Sequence, residues 1–410
     1  MKILIINHYA GSRIHGMEFR PYDLAIALKS KGNEVEIVTS SYTHLRNENF
    51  NFKYKLFHET NVSGVKYYVL KTIRYSGNGI FRLINILFFL LNLFYHRKFF
   101  KKKSYDCIIF SSTYPFDTFL INALRDYAGK KVLMIWEVHD LWPLSLEVLH
   151  GLKPKSLFAR VCYKAQKYAV EKSDLVISLL ENADEYYGKL GLRPNKFAFI
   201  PLAFDAKYTA TNNIHGSNTE IEKDLRFMKD INKTIIVYAG YFGVQNAIQR
   251  LMQASEILQK NNLHFVFIGN GPLDEVLRAG AAKNVSIYNR ISHAQLEKIL
   301  PICDIAYLGV PDSELYHYGV SPNKLIDYML ARLPIVWSYP VPSSIIKAAE
   351  CGICVNTTAE DVSCAIQKLA SMNSSLREHM GNLGHEYLHE KLTYEHITET
   401  LISNIQVISD

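Results

Sequence analysis

Apolar and polar residues alternate in blocks along this chain. Ile3-Leu4-Ile5-Ile6 sits inside Lys2–Asn7 and predicts a short buried strand. A loop with two glycines, Tyr9–Gly16, follows. Pro21–Lys31 then sets Leu24, Ala25, Ala27 and Leu28 at helical spacing, Gly32 stops the helix, and Val35–Thr39 predicts a second strand. A strand–helix–strand start implies a parallel sheet covered on both faces. The same grammar predicts strands at Cys107–Ser111, Lys131–Val138, Leu175–Leu180 and Phe197–Pro201, and helices at Thr118–Tyr127 and Ser156–Lys172.

Periodicity then fades. Residues 206–233 are polar and turn-rich, with Asn212-Asn213 and Gly216-Ser217-Asn218, and read as an interdomain connection. A second series follows. Strands are predicted at Thr234–Ala239, His264–Ile268, Val285–Tyr288, Ile305–Leu308, Ile335–Trp337 and Cys354–Val355, and helices at Ala247–Lys260, Leu273–Ala279, Ser292–Ile299 and Pro322–Ala331. The organisation is therefore α/β, with two doubly wound domains, 1–205 and 234–391, facing each other. Leu392–Ile408 has a helical pattern, and the segment 392–410 is expected to return to the first domain. Open sheets of this kind bind ligands beyond the carboxyl ends of their strands, which places the site in the cleft between the domains.

Charge sharpens this picture. The net charge is +7 over 410 residues, but residues 1–205 hold 29 Lys/Arg against 18 Asp/Glu, and residues 206–410 hold 17 against 21. A basic half suggests that one domain meets something anionic. Apolar residues at 48% and charged residues at 21% exclude disorder, collagen and coiled coil. Six cysteines are too few for a disulfide scaffold, which fits a reducing cytosol, and the four-residue apolar run after Lys2 is too short for a secretory core.

Residues 79–103 combine grease and charge. The run is interrupted by Asn85 and Asn92 and is shorter than a membrane span. On a helical wheel Arg82, Asn85, Asn92 and His96 share one narrow stripe, and the rest, including Phe81, Phe88 and Leu91, is apolar. Arg97, Lys98, Lys101, Lys102 and Lys103 follow at once. A helix buried against the sheet with a solvated basic end is one reading. A helix lying in the surface of an anionic membrane is the favoured one. No nucleic-acid motif accompanies the basic residues, so nucleic acid is not expected as a partner.

Four segments carry candidate chemistry. Trp136-Glu137-Val138-His139-Asp140-Leu141-Trp142-Pro143 puts a His, two acids and two Trp at a strand's carboxyl end, where His139 could exchange a proton near neutral pH. Gly269-Asn270-Gly271-Pro272 opens a helix, where backbone N–H groups can approach an anion, and Gly240 and Gly243 sit in a second such loop. Ser321-Pro322-Asn323-Lys324 begins another helix whose amides and Lys324 suit a diphosphate. Asp327, one turn on, suits two vicinal hydroxyls. Each has a plainer reading, as a capped turn, a glycine turn or a surface charge. Cys351-Gly352-Ile353-Cys354 has half a zinc spacing with no second pair, and no metal-binding motif completes it. The first βα turn, Asn7-His8-Tyr9-Ala10-Gly11-Ser12, lacks GxGxxG, which argues against a dinucleotide oxidoreductase.

Taken in order, these segments, with Gly16-Met17-Glu18-Phe19-Arg20, resemble glycosyltransferase family 4, in particular its bacterial surface-polysaccharide branch. The resemblance spans almost the whole chain. It implies the GT-B fold, two Rossmann-like doubly wound domains facing across a cleft. It implies a nucleotide diphosphate sugar on the C-terminal domain, an acceptor on the N-terminal one, retention of anomeric configuration, and no metal or other cofactor. Gly11 and Gly16 would mark the loop near the donor phosphates. Arg20, Glu137, Asp140 and Trp142 would lie on the acceptor side. His139 would match the family's His near the donor sugar, and Asp327 the second acid of E-x7-E. The first acid of that motif falls at Gly319, and the family's phosphate-binding Arg and Lys fall at Tyr241 and Asn246. Lys324 and the amides near Asn323, helped by Arg290 or Arg20, are the expected substitutes.

The resulting expectation is a transferase peripheral to the inner face of the cytoplasmic membrane. It would move a sugar, by the branch resemblance a UDP-linked N-acetylhexosamine or relative, to a lipid-linked saccharide of O-antigen, capsule or exopolysaccharide. Two competitors remain: a GT-B sugar-nucleotide epimerase, and a non-catalytic membrane assembly factor on a transferase scaffold.

Overall fold

The computed structural model describes residues 1–52, 55–77, 79–125, 129–206, 220–341 and 343–409. Ile3 to Ile6 are fully buried and form the centre of the first sheet. Its strands are β1 (Lys2–Ile6), β2 (Glu34–Ser40), β3 (Phe57–Val62), β4 (Val65–Leu70), β5 (Cys107–Phe110), β6 (Leu133–Val138), β7 (Leu175–Ser178) and β8 (Phe197–Phe199). The order is β3-β4-β2-β1-β5-β6-β7-β8, parallel except for the β3–β4 hairpin. That hairpin turns through Ser63 and Gly64, both at positive φ (48° and 85°), the backbone that a two-residue hairpin loop favours.

Helices pack on this sheet. Pro21 pre-sets the first turn of α1 (Arg20–Ser30), whose Leu24, Ala25 and Leu28 pack inward. The apolar segment forms α2 (Ile80–Tyr95), and its basic end α3 (Arg97–Lys102). The helix Tyr394–Ser409 belongs to the same unit, packs on α1, and adds a Lys31–Glu399 ion pair.

The second unit, Leu202–Thr393, holds a six-stranded, fully parallel sheet. Its strands are β9 (Thr234–Tyr241), β10 (Leu263–Asn270), β11 (Val285–Tyr288), β12 (Ile305–Gly309), β13 (Ile335–Ser338) and β14 (Gly352–Val355), in the order β11-β10-β9-β12-β13-β14. Its core stacks Ile236, Phe265, Phe267 and Tyr307 under Leu251, Ile366 and Leu369 of the covering helices. Each sheet reverses its strand order once, between β1 and β5 and between β9 and β12. Those reversals are where an open α/β sheet leaves a crevice.

Local departures from the sequence reading have physical causes. Pro115–Leu120 is a 3-10 turn followed by a short helix, Ile121–Leu124, in place of one helix over Thr118–Tyr127; residues 126–128 lie outside the described residues. The stretch 206–233, read as connection, contains a helix, Glu220–Asp230, because Ile221 and Leu225 recur at i, i+4 and bury against the second sheet. Residues 207–219 lie outside the described residues.

Candidate functional site

The first unit gathers polar groups at the β1/β5 reversal. Asn7, just past β1, donates from Nδ2 to the carbonyl of Ser111, just past β5. Ser111 Oγ donates to Glu137 Oε2 at 2.6 Å, and the other carboxylate oxygen accepts from Arg20 Nε at 2.9 Å. Arg20 also donates from Nη1 to the carbonyl of Pro201 (2.9 Å) and from Nη2 to that of Ile200 (3.1 Å). His139 Nε2 lies 3.2 Å from Glu137 Oε2 and 3.1 Å from Ser111 Oγ. An ionised carboxylate only accepts, so Nε2 carries the proton and Nδ1 is the basic atom of the ring. Burial alone would raise the Glu137 carboxyl. The charges of Arg20 and His139 and the hydrogen bonds from His139 and Ser111 outweigh it and hold the carboxyl well below its usual range.

This corrects the roles expected of three residues. Arg20 and Glu137 are 3% and 1% exposed, so neither can meet an acceptor or a phosphate directly. They form a buried strut that fixes His139. Trp142 is packed in an aromatic cluster with Tyr9, Tyr114 and Phe116, which closes most of its surface to a substrate. Asp140 is exposed, and its Oδ1 accepts from the Leu141 amide at 2.8 Å, shaping the turn after His139. A Cβ on Gly11 would sit 1.9 Å from the carbonyl oxygen of Gly16, so Gly11 is required by the loop's own closure. Gly16 adopts φ +88°.

The second unit builds its cluster at the β9/β12 reversal. Lys324, in the first turn of the helix Asn323–Leu330, donates from Nζ to Asn246 Oδ1 at 2.7 Å and lies over the Tyr238 ring. Burial lowers its pKa to about 8. Among the described residues no side chain caps this helix, and Asn323 is exposed and Ser321 half-buried at its start. Gly240 makes room for Lys324, since a Cβ there would meet its Cε at 2.2 Å. Gly269 and Gly271 serve the backbone in the same way, with their Cβ positions filled by the carbonyl oxygens of Gly240 (1.8 Å) and Phe242 (2.5 Å). These glycines therefore weld the β9 and β10 ends together, and the Phe242 amide closes on Asn270 O at 2.9 Å. At Gly243 the side-chain oxygen of Gln245 (2.3 Å) and the ring of Tyr241 (2.6 Å) fill the same place.

Asp327 Oδ1 meets His293 Nε2 at 2.9 Å, a hydrogen bond that raises the His293 pKa. Arg290 is exposed nearby in sequence, in the loop after β11. Ser111 and His293 escape a reading of the sequence. Each is a lone polar residue with no motif, and only its partner reveals it. A cavity of about 880 Å³ in this unit opens at the amino ends of β12 and β13, where Asp304 already pairs with Lys229. It lies at the wrong end of the sheet for the chemistry described. Among the described residues no group of three potential metal ligands occurs.

Two parallel-rich doubly wound sheets, each with polar groups at its strand-order reversal, are the architecture of the GT-B fold. Comparison with known proteins agrees. Residues 14–208 match the family model described as Glycosyltransferase Family 4, and residues 233–372 match Glycosyl transferases group 1. The chain belongs to glycosyltransferase family 4. A curated relative, the probable glycosyltransferase WbjE of Pseudomonas aeruginosa, is 20% identical over 234 residues, 56% of each chain, so the match spans little more than half of that relative. Sucrose-phosphate synthase from Thermosynechococcus elongatus shares the fold at TM-score 0.67 and 15% identity, over 100% of this chain and 99% of that one. Anabaena HepE, solved with UDP-glucose, does so at TM-score 0.61 and 12% identity, over 99% and 100%.

Proposed function

We propose that the protein moves a sugar from a UDP-linked donor, an N-acetylhexosamine or a related sugar, to a lipid-linked saccharide of a surface polysaccharide, with retention and at an anionic membrane surface. The second unit holds the donor. Lys324 and the uncapped amides at Asn323 take the diphosphate, and Asp327 takes the ribose hydroxyls. The UDP-glucose complex of HepE supports a donor of this class. As the sugar leaves, negative charge grows on the diphosphate, and a fixed cation with helix-end dipoles stabilises it without reorganising. No metal is assigned to that task. The departing phosphate can itself take the acceptor proton. His139, locked by Glu137, presents Nδ1 to a sugar hydroxyl.

The acceptor class rests on one observation, the inverted orientation of α2. Asn85 and Asn92 point inward and are buried, whereas Phe81, Phe88, Leu91 and Tyr95 are 61%, 47%, 57% and 71% exposed. Asn85 and Asn92 satisfy the carbonyls of Ile73, Leu56 and Lys71. An outward apolar face this wide calls for a partner. At its end Lys98 and Lys102 are exposed, Lys101 is half-buried, and Arg97 and Lys103 lie back over Phe94 and Phe99. Positive charge beside outward Phe and Leu fits an anionic bilayer. Among the described residues no helix is long and apolar enough to cross one.

Three measurements test this reading. A thermal-shift panel of nucleoside diphosphates and their sugars should show selective stabilisation by UDP and one UDP-sugar. Asp327→Ala should weaken UDP binding about tenfold; an unchanged affinity removes Asp327 from the ribose. Replacing Lys101, Lys102 and Lys103 with Gln should weaken sedimentation with vesicles containing phosphatidylglycerol by about tenfold, at ~1 kcal/mol per surface lysine with two of them partly shielded. Undiminished sedimentation removes the electrostatic part of the membrane contact.

A further inference from the structure

The inner face of α2 has a separate use. Asn85 is fully buried, and its amide is engaged at both ends. Nδ2 donates to the Ile73 carbonyl, which leaves Oδ1 as an acceptor 2.6 Å from His8 Nε2. That fixes the His8 tautomer. Nε2 holds the proton, and Nδ1 accepts from the Tyr114 hydroxyl at 2.6 Å. Burial keeps the ring neutral, with its pKa pushed down to about 3. His8 stacks between Tyr9 and Phe89 of α2, with centroids 4.5 and 4.7 Å away.

One turn earlier on α2, Arg82 donates from Nε to the Tyr9 hydroxyl at 3.1 Å. Its guanidinium lies over the rings of Tyr9 and Trp142, 5.3 and 5.8 Å from the centroids. Tyr9 opens the loop that carries Gly11 and Gly16, and Trp142 belongs to the turn that carries His139. One helix thus grips both of these segments with directional contacts, while its opposite face is apolar and exposed. The inner face also buries Ile86, Phe89 and Leu93, so the helix is packed against the first unit as well as linked to it, and a large apolar contact on the outer face shifts the seat of helix and segments together as far as it favours one seat over another.

We propose that α2 is a positioning element that couples the bilayer to the acceptor side of the first unit, with Arg82 and Asn85 as its links to the Tyr9 loop and the Trp142 turn. Turnover on a membrane-borne acceptor then rises through ordering of these segments as well as through local concentration. This rests on the reading that α2 meets an anionic bilayer.

The test is hydrogen exchange on the full chain, with and without vesicles of phosphatidylglycerol and phosphatidylcholine, run beside sedimentation. The wild type should sediment, and amides in 9–16 and 140–146 should exchange about fivefold more slowly with vesicles, in addition to those of α2. Arg82→Gln, at a half-exposed position, should still unfold cooperatively, still sediment and still protect α2, but lose the slowing in 140–146. Wild-type slowing confined to 80–103 overturns the coupling while leaving membrane binding intact, and unchanged slowing in Arg82→Gln overturns it as well. A wild type that does not sediment removes the membrane reading first, and the coupling with it.

Discussion

Lys324→Met should weaken UDP binding by about tenfold to hundredfold while leaving the fold intact. Nζ is held between Asn246 Oδ1 and the Tyr238 ring. A pre-placed ammonium of this kind gives a charge-assisted hydrogen bond to a diphosphate, ~1.5–3 kcal/mol, or roughly one to two factors of ten. The site is costly for the free protein. Burial pulls the Lys324 pKa from 10.5 to about 8, so its charge is disfavoured in the folded state. The unfolded chain holds that proton up to 10.5. The resulting penalty is therefore present in full below about pH 8 and is relieved between pH 8 and 10.5. Lys324→Met should for that reason melt no lower than wild type at pH 7 without ligand. The same shift gives UDP binding a pH dependence. Affinity should be level below about pH 7 and fall as Lys324 deprotonates above about pH 8, and Lys324→Met should lack that fall. Calorimetric titration across pH 6.5–9.5 decides it; equal affinities for the two proteins would remove Lys324 from the diphosphate.

Much of the scaffold is readable because its signals are local. The β1–α1–β2 start follows from four consecutive apolar residues, Pro21 and helical spacing, and all three elements are present. The β3–β4 hairpin escapes such a reading although Ser63-Gly64 is a turn signal, because β3 is half-exposed and its alternation is diluted by His58 and Asn61. The helices Ala359–Ser371 and Ser374–Lys391 escape it too; in the second of these, Gly381 and Gly384 press against Arg332 and Cys351, which weakens the apolar stripe that would have marked it. For α2, periodicity shows a polar stripe but not which side of the helix it occupies. The stripe faces inward because the carbonyls of Lys71 and Ile73, outside any strand ladder, take donors there, and the Leu56 carbonyl, already paired with the Lys71 amide, takes a second. The glycine loops are legible as loops, but at Gly240, Gly269 and Gly271 the requirement is contact between chain segments far apart in sequence. Arg20 invites a phosphate-binding role for the same reason: its partner, Glu137, lies 117 positions away.

Arg20→Met should destabilise the first unit by about 3–5 kcal/mol, the cost typical of stranding one member of a buried ion pair. The pair is 3% and 1% exposed at 2.9 Å, and Arg20 also serves the carbonyls of Ile200 and Pro201. In wild type the Glu137 carboxyl is held below its ordinary value, so its contribution is complete above the unfolded pKa and is lost only as pH falls through the folded one. Without Arg20 the balance between burial and charge reverses. Burial then dominates and raises the carboxyl, the unfolded chain loses its proton first, and the variant's stability should fall as pH rises from 5 to 7, opposite in sign to the wild-type contribution. Adding Glu137→Gln removes the stranded charge, so the double variant should regain part of the loss and its pH slope should flatten, though the two carbonyls stay without their donors. Its His139 keeps a neutral amide as neighbour in place of a carboxylate, so the Nε2–H tautomer is no longer enforced and transferase turnover should stay low even where stability recovers. Urea unfolding of wild type and both variants at pH 5 and 7 measures this. A loss under 1 kcal/mol in Arg20→Met, with no pH slope, would mean that the guanidinium is not the strut for His139 that its distances describe.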